Sequence, residues 1–212
     1  MVNNKVLLHC CCAPCSAAII EWMMNNDIVP TLYYYNPNIY PEEEYLIRKN
    51  ELTRYAGELG LTVIDDDYNH QEWENWVCHN LGTSELRDYP ERGPRCLECF
   101  KMRLLATARK CQELGISRFT TTLASSRWKS LDQINAAGQW ATEVVRSARR
   151  DACQSKNGEG LKVKGEGNGE QTEVTFWDRN WRKGGLQDRR NALLKENGFY
   201  NQLYCGCEFS QR

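Results

Sequence analysis

Four of the eleven cysteines lie within six residues, Cys10 to Cys15, and they directly follow a short apolar stretch, Lys5 to His9. That stretch predicts a buried strand, and the apolar residues from Ala17 to Met24 predict a helix after it. The cysteines therefore lie in a turn where several thiols can face one point, and where the helix dipole lowers a thiol pKa. Core packing does not require clustered thiols, so the group indicates metal binding or redox chemistry.

Strands and helices alternate along the rest of the chain. Strands are predicted at 5–9, 28–35, 61–64, 118–122 and 172–177, and helices at 17–24, 41–59, 71–80, 97–114, 131–149 and 186–196. This order predicts an α/β fold with a Rossmann-like parallel sheet and helices on both faces. Because such sheets form their sites beyond the carboxyl ends of the strands, we expect the metal site at that edge.

The length of 212 residues suits a single α/β domain over 1–212, and the polar, glycine-rich segment 151–171 predicts a flexible insertion. The net charge of -1 gives no support to nucleic-acid binding by the chain as a whole. We find no apolar stretch near the ~20 residues of a membrane helix. We therefore expect a cytoplasmic protein with no membrane partner, in which a structural disulfide framework is disfavoured.

A second thiol pair, Cys96 and Cys99, has C-x-x-C spacing at the start of a predicted helix, which puts both sulfurs on one face. Alone, the pair is compatible with a thioredoxin-like motif, half a zinc site or half an iron–sulfur site. Together with the first group it completes a set of four thiolates, which suits either zinc or an iron–sulfur cluster. The adjacent cysteines Cys11 and Cys12 fit zinc spacing poorly and favour a cluster.

The third thiol motif is Cys205-Gly206-Cys207, close to the end of the sequence. A C-x-C pair can close a small, strained disulfide ring, and strained disulfides are the labile, catalytic ones. The alternative is that these two cysteines are metal ligands. The isolated cysteines Cys78 and Cys111 are predicted to fill the core.

Basic residues cluster in two places, at 146–150 and at 179–185. In the second, Trp181, Arg182 and Lys183 combine an indole that can stack on a base with cations that can bind phosphate. A solvated helix face is the ordinary alternative for such a charge run. His9 is interpreted as a structural residue, with a proton-donating role as the alternative.

Several of these motifs occur together, and in the same order, in one known family. They are Leu8-His9 with Cys11-Cys12-Ala13-Pro14-Cys15, Tyr34-Tyr35-Asn36-Pro37-Asn38-Ile39, Glu44-Tyr45 with Arg48, Arg95-Cys96 with Cys99-Phe100, Thr121-Thr122-Leu123, Arg182-Lys183-Gly184-Gly185 and Tyr204-Cys205-Gly206-Cys207. On these residues the chain resembles the QueH family of epoxyqueuosine reductases over nearly its whole length. It departs from the family pattern at 125–129, at Asn201-Gln202 and in the length of the segment 151–171.

The resemblance implies a cobalamin-independent oxidoreductase that reduces epoxyqueuosine to queuosine in the tRNA anticodon loop. It implies a [4Fe-4S] cluster held by Cys11, Cys12, Cys96 and Cys99, and a redox-active disulfide between Cys205 and Cys207. It also allows an additional mononuclear iron, for which Cys15 is the candidate ligand. The partners would be tRNA carrying epoxyqueuosine and an unidentified electron donor. His9 and Tyr204 are the candidate proton donors.

Two other functions remain compatible with the residues. The chain could be a non-catalytic zinc-binding protein that binds RNA, although four thiolates satisfy zinc without a third cysteine pair. It could also be a general thiol–disulfide oxidoreductase that uses no metal. An ATP-using enzyme is unsupported, because the sequence has no G-x-x-x-x-G-K-[ST] motif.

Overall fold

The structure, a computed structural model, describes residues 4–156 and 173–211. Its sheet has five parallel strands in the order β3-β2-β1-β4-β5. The strands are β1 (Val6–His9), β2 (Pro30–Tyr34), β3 (Val63–Asp65), β4 (Arg118–Thr121) and β5 (Thr175–Phe176). The predicted α/β parallel sheet is therefore confirmed.

Six helices connect and cover the strands of this sheet. They are α1 (Ala13–Met24), α2 (Glu42–Glu58), α3 (His70–Leu81), α4 (Pro94–Glu113), α5 (Leu131–Lys156) and α6 (Leu186–Glu196). Helix α1 packs on α2 and α6, whereas α4 packs on α3 and α5. These are the two groups expected when right-handed crossovers cover opposite faces of a sheet. Among the helices of the described ranges, none is both long and apolar enough to cross a membrane.

The central strand β1 explains why the sheet forms. All four of its residues are fully buried, as expected for a strand covered by helices on both faces. In register, Leu8 lies opposite Leu32 of β2 and Thr120 of β4. After β1, the next strands, β2 and β3, are added on one side of it, whereas β4 and β5 are added on the other side. The topological switch point, where such sheets form a crevice, therefore lies between β1 and β4.

Several element boundaries differ from those predicted. Helix α1 begins at Ala13 and α4 at Pro94, three or four residues earlier than expected, because a proline fits the first turn of each. Helix α5 continues to Lys156, into the segment expected to be an insertion, since the first glycine after Gly138 is Gly158. The remainder of that segment, 157–171, lies outside the described residues. Strand β5 is limited to two residues.

Helix α5 packs against β5 at Gly138, where a Cβ atom would overlap the ring of Phe176. We expect Gly138→Ala to lower the free energy of unfolding by ~1–3 kcal/mol, because the ring or the helix must shift. Gly57→Ala is the matched control, because Gly57 lies within α2 and a Cβ there meets nothing within 4 Å. The control should stabilise the fold by ~0.4–1 kcal/mol. Urea unfolding measures both changes, and equal values would contradict the packing argument.

Candidate metal and redox centre

A cavity of about 440 Å³ opens at the carboxyl edge of the sheet. Its lining includes Cys11 and Cys15 from the start of α1, Lys129 from the loop after β4, and Cys205 from the C-terminal segment. The two loops that follow β1 and β4 are joined directly, since the Cys11 backbone N–H donates to Thr122 Oγ1 at 3.1 Å. The predicted location of the site, at the C-terminal edge of the sheet, agrees with this cavity.

Cys11, Cys12 and Cys15 form one compact thiol group. Their sulfur atoms all lie within 4.8 Å of one another, and Cys11 Sγ lies 3.9 Å from Cys12 Sγ. All three side chains are buried. Three soft sulfur ligands at this spacing can bind a metal that prefers thiolates. The sequence assigned Cys15 only to an additional iron, whereas the structure groups it with Cys11 and Cys12.

The three thiols differ in how readily they ionise. Hydrogen bonds from Cys12 and Cys15 hold the pKa of Cys11 well below its ordinary value, and the charge of Lys129 adds to this against the effect of burial. Burial raises the pKa of Cys12. The hydrogen bond with Cys11 contributes most to raising the pKa of Cys15 to about 11. Cys11 is therefore the thiol of this group that most readily becomes a thiolate.

Cys96 and Cys99 lie in the first two turns of α4, Cys99 buried and Cys96 half-buried. Burial raises the pKa of Cys96 to about 11, and the charges of Cys205 and Cys99 add to the effect. Burial also raises the pKa of Cys99, with Arg103 opposing it and Cys205 supporting it. Both thiols of the pair therefore interact electrostatically with Cys205. Within the described residues it is not part of the compact group formed by Cys11, Cys12 and Cys15.

Cys205 and Cys207 are both free thiols in this structure. Cys205 is partly exposed and lines the cavity, whereas Cys207 is buried. Burial raises the pKa of Cys207, and the charge of Cys205 raises it further. The accessible thiol of the C-x-C motif therefore faces the same cavity as Cys11 and Cys15.

A buried ion pair on α2 holds the C-terminal segment in place. Arg48 donates to the carbonyls of Tyr204 and Cys205 at 3.3 Å and 3.1 Å, and its Nη2 lies 2.7 Å from Glu44 Oε1. The second oxygen of Glu44 accepts a hydrogen bond from Tyr200 at 2.9 Å. Arg48 is 2% exposed, so these contacts neutralise and satisfy a charge that water does not reach. We call Arg48 with Glu44 the α2 clamp.

Gly206 fits closely beneath the α2 clamp. Its carbonyl accepts from the Tyr40 backbone N–H at 2.8 Å, and its φ of 128° lies in the region that favours glycine. A Cβ at this position would lie 3.0 Å from Ile39 Cγ1 and 3.1 Å from Arg48 Nη1. The glycine between the two cysteines is therefore required by both its conformation and its surroundings.

Lys129 and Gln202 are site residues that the sequence did not predict. Burial would lower the pKa of Lys129, but its electrostatic interactions with the sulfurs of Cys205, Cys11 and Cys15 raise it. The side-chain amide of Gln202 donates to Cys12 Sγ at 2.7 Å. Both residues lie where the sequence departs from the resembled pattern. The only available signal for Lys129 was its position in the loop after the carboxyl end of a strand.

The two candidate proton donors are already engaged in hydrogen bonds. His9 is fully buried, and burial together with Arg103 lowers its pKa to about 3, so its ring is neutral at neutral pH. Its Nε2 must donate to the Tyr35 carbonyl at 3.1 Å, which leaves Nδ1 to accept from Thr121 Oγ1 at 2.8 Å. These contacts favour the structural interpretation of His9. The Tyr204 hydroxyl donates to the Tyr40 carbonyl.

The structure corrects the expectation that Trp181 stacks on a base. Its ring is fully buried, packs edge-on against Trp22 and Trp177, and donates its N–H to Thr120 Oγ1 at 3.3 Å. The alternation of basic and aromatic residues could not reveal which way the ring points. Arg182 is half-buried and donates to the Lys129 carbonyl at 2.8 Å, whereas Lys183 is exposed.

We expect Arg48→Met to lower the free energy of unfolding by ~3–5 kcal/mol, because it leaves the Glu44 carboxylate buried without its cation. It should also speed alkylation of Cys205, because the backbone carrying that thiol loses two hydrogen bonds. Urea unfolding and peptide mapping after iodoacetamide measure the two effects. Arg54→Met is the control, since Arg54 pairs with Glu58 on the exposed face of the same helix and should cost ~0–1 kcal/mol. Unchanged Cys205 reactivity in Arg48→Met would refute the clamp.

Known proteins are similar to this chain over nearly its whole length. The family model described as "Epoxyqueuosine reductase QueH" matches residues 6–152 and 151–212. The epoxyqueuosine reductase QueH of Histophilus somni is 41% identical over 210 residues, which cover 99% of this chain and 73% of the relative. The Haemophilus influenzae protein of the same name is 40% identical over the same shares. That of Thermotoga maritima is 31% identical over 98% of this chain and 90% of its own length. The chain therefore belongs to the epoxyqueuosine reductase QueH family.

Proposed function

We propose that this chain is a cobalamin-independent epoxyqueuosine reductase, which converts epoxyqueuosine to queuosine in tRNA. Family membership supports the activity. The observation in the structure that carries the proposal is the shared cavity, which is lined by two members of the compact thiol group and by Cys205. A substrate in that cavity would contact both a possible metal site and a reducing thiol.

The donor set fits an iron–sulfur cluster better than a hard cation, because it consists of sulfur. We assign a [4Fe-4S] cluster to Cys11, Cys12, Cys96 and Cys99, and an additional iron to Cys15. Cys11 and Cys12 directly precede α1, whereas Cys96 and Cys99 lie on α4. A cluster suits two such separated pairs, because four irons hold their thiolates farther apart than a single ion does. When bound, these groups would supply electron transfer and a Lewis acid for the epoxide oxygen.

The residues of the chain can supply the remainder of the chemistry. Removal of the epoxide oxygen as water, with formation of a carbon–carbon double bond, requires two electrons and two protons. Oxidation of the Cys205 and Cys207 thiols to a disulfide releases that number of each. Lys129 offers a positive charge near Cys205, which would stabilise negative charge on a sulfur or on a departing oxygen. An external reductant, still unidentified, must then reduce the disulfide for the next turnover.

The decisive test is conversion of epoxyqueuosine in purified tRNA by anaerobically reconstituted protein, with dithionite and methyl viologen as reductant. We expect queuosine, identified by mass spectrometry of the digested nucleosides as the loss of one oxygen atom. A protein that is brown and has a broad visible absorbance would support the cluster. A colourless protein that holds one zinc and leaves the nucleoside unchanged would contradict both the cofactor and the activity.

We expect Cys99→Ala to lose cluster iron and turnover together, because one of four ligands is missing. Cys111→Ala is the matched control, since Cys111 is a fully buried thiol on the same helix and lies outside the proposed ligand set. The control should keep its iron and its activity at temperatures where it is folded. Iron and sulfide analysis with an activity assay on both variants measures the difference. Full iron and turnover in Cys99→Ala would show that the ligand assignment is wrong.

We expect the double variant Cys205→Ser/Cys207→Ser to retain the cluster and lose multiple turnover, because its ligands lie elsewhere and the two-electron donor is gone. Cys78→Ser, at a partly exposed thiol on α3, should keep both properties. Cluster content and turnover are measured on the same preparation. Loss of the cluster in this variant would show that Cys205 and Cys207 are cluster ligands. Full turnover would show that the two thiols take no part in the reduction.

Contacts to tRNA phosphates are best tested at Lys183 and Arg190. Lys183 is exposed and Arg190 lines the cavity, whereas Arg189 is already paired with Glu21 and Glu196. Lys183→Gln with Arg190→Gln should weaken tRNA binding and reduce the log–log salt slope by about two, one for each lost phosphate contact. Lys195→Gln, an exposed cation at the far end of α6, is the control. Unchanged affinity at every salt concentration would refute this surface.

A further inference from the structure

A second group of possible metal ligands lies outside the cavity. It consists of His70, Glu74 and Glu208, each of which offers one ligand atom, and these three atoms all lie within 4.8 Å of one another. None of the three residues lines the cavity that contains Cys11 and Cys205. The proposed reductase function does not use this group.

Two separate elements bring these side chains together. His70 begins α3, and Glu74 follows it by one helical turn, so both side chains lie on the same face of that helix. Glu208 begins the single helical turn Glu208–Ser210 that directly follows Cys207. The group therefore joins the start of α3 to the C-terminal segment.

The His70 ring is held in the orientation that a metal ligand requires. Its Nδ1 lies 2.8 Å from the carbonyl of Pro37, and since a carbonyl can only accept, Nδ1 carries a proton. The ring packs between Tyr40, at 5.0 Å, and Trp73, at 5.2 Å. Nε2 is thereby directed at Glu208. A histidine that binds a metal usually donates its other N–H to a carbonyl or a carboxylate in this way.

The Glu208 carboxylate is incompletely satisfied by the protein. Glu208 Oε2 is buried and has no hydrogen-bond partner among the described residues, and Oε1 lies 3.4 Å from His70 Nε2, which is long for a hydrogen bond. Glu74 and Glu208 bring two negative charges to one point, where a cation would be attracted to both. A single imidazole cannot satisfy both carboxylates.

We propose that His70, Glu74 and Glu208 bind one divalent first-row cation, which ties the C-terminal segment to α3. One imidazole nitrogen and carboxylate oxygens suit Mn²⁺, Fe²⁺ and Zn²⁺, and the absence of sulfur from this set distinguishes the site from the thiol groups. The cation would anchor Glu208, directly after Cys207. The α2 clamp holds the other side of the C-x-C motif, through the carbonyls of Tyr204 and Cys205. It would hold the C-x-C segment in place without taking part in the reduction.

Mn²⁺ is the probe that separates this site from the cysteines, because thiolates select softer metals. The anaerobically purified full-length protein is titrated with MnCl₂, and free Mn²⁺ is measured by the intensity of its six-line EPR signal. We expect one bound Mn²⁺ per chain in the wild-type protein. In Glu74→Gln the affinity for Mn²⁺ should fall by at least ~10-fold. Loss of a residue that only supports a ligand costs about that much, and Glu74 is proposed as a direct ligand. His70→Ala should show a similar loss.

Glu72→Gln is the matched control, because Glu72 is an exposed acid on the first turn of the same helix and the substitution removes the same charge. Its Mn²⁺ affinity should equal that of the wild type, and circular dichroism should show that all variants are folded. Equal affinities in Glu74→Gln and Glu72→Gln, or no stoichiometric binding by the wild-type protein at millimolar Mn²⁺, would overturn the proposal. The reductase assay plays no part in this measurement, so failure of the site and failure of the proposed function are distinguishable.

Discussion

The centre depends on the topological switch point between the parallel strands β1 and β4, where the order in which strands are added to the sheet reverses. On either side of that point the crossover connections leave the sheet towards opposite faces, and the loops that follow the two strands separate into a crevice. The first loop carries Cys11 and Cys12 and leads into α1 with Cys15, and the other carries Thr122 to Lys129. The hydrogen bond from the Cys11 N–H to Thr122 and that from Ser125 Oγ to the Cys15 carbonyl join the two loops across the crevice. The thiol group is thus fixed by the sheet topology.

Cys205 reaches the crevice by a different means, the contacts of a buried arginine with the C-terminal segment. Between 197 and 211, the described residues after α6, the regular structure is one short helical turn, so the carbonyls there need partners from elsewhere. Arg48 supplies two donors from α2. On α4, Arg103 contacts Cys99 and Asn36, and Asn36 in turn donates to the Cys10 carbonyl. Buried guanidinium groups with several donors therefore connect distant parts of the chain: Arg48 joins α2 to the C-terminal segment, and Arg103 joins α4 to Asn36 after β2.

The sequence predicted the parallel sheet and the edge at which the centre lies, because strand–helix alternation and the position of Cys10 to Cys15 are local signals. It missed Lys129 and Gln202 because their roles arise from neighbours that are distant along the chain, Cys205 and Cys11 for Lys129 and Cys12 for Gln202. The prediction for Trp181 was wrong for a related reason. Composition shows that an indole is available, but only tertiary packing shows that Trp22 and Trp177 cover it. Proline explains the early starts of α1 and α4, a local signal that the predicted boundaries did not use.

Burial also influences whether the thiols of the proposed centre are protonated. Burial raises the pKa of Cys12, Cys99 and Cys207, whereas neighbouring hydrogen bonds lower that of Cys11. In the absence of metal most of these sulfurs are therefore neutral thiols, which are weak nucleophiles and resist adventitious oxidation. Metal binding must displace their protons, so loading is coupled to pH and favoured as pH rises. Within the compact group, the thiol whose pKa is lowered, Cys11, also lines the cavity, so the most readily ionised sulfur of the three lies at the surface that a ligand would reach.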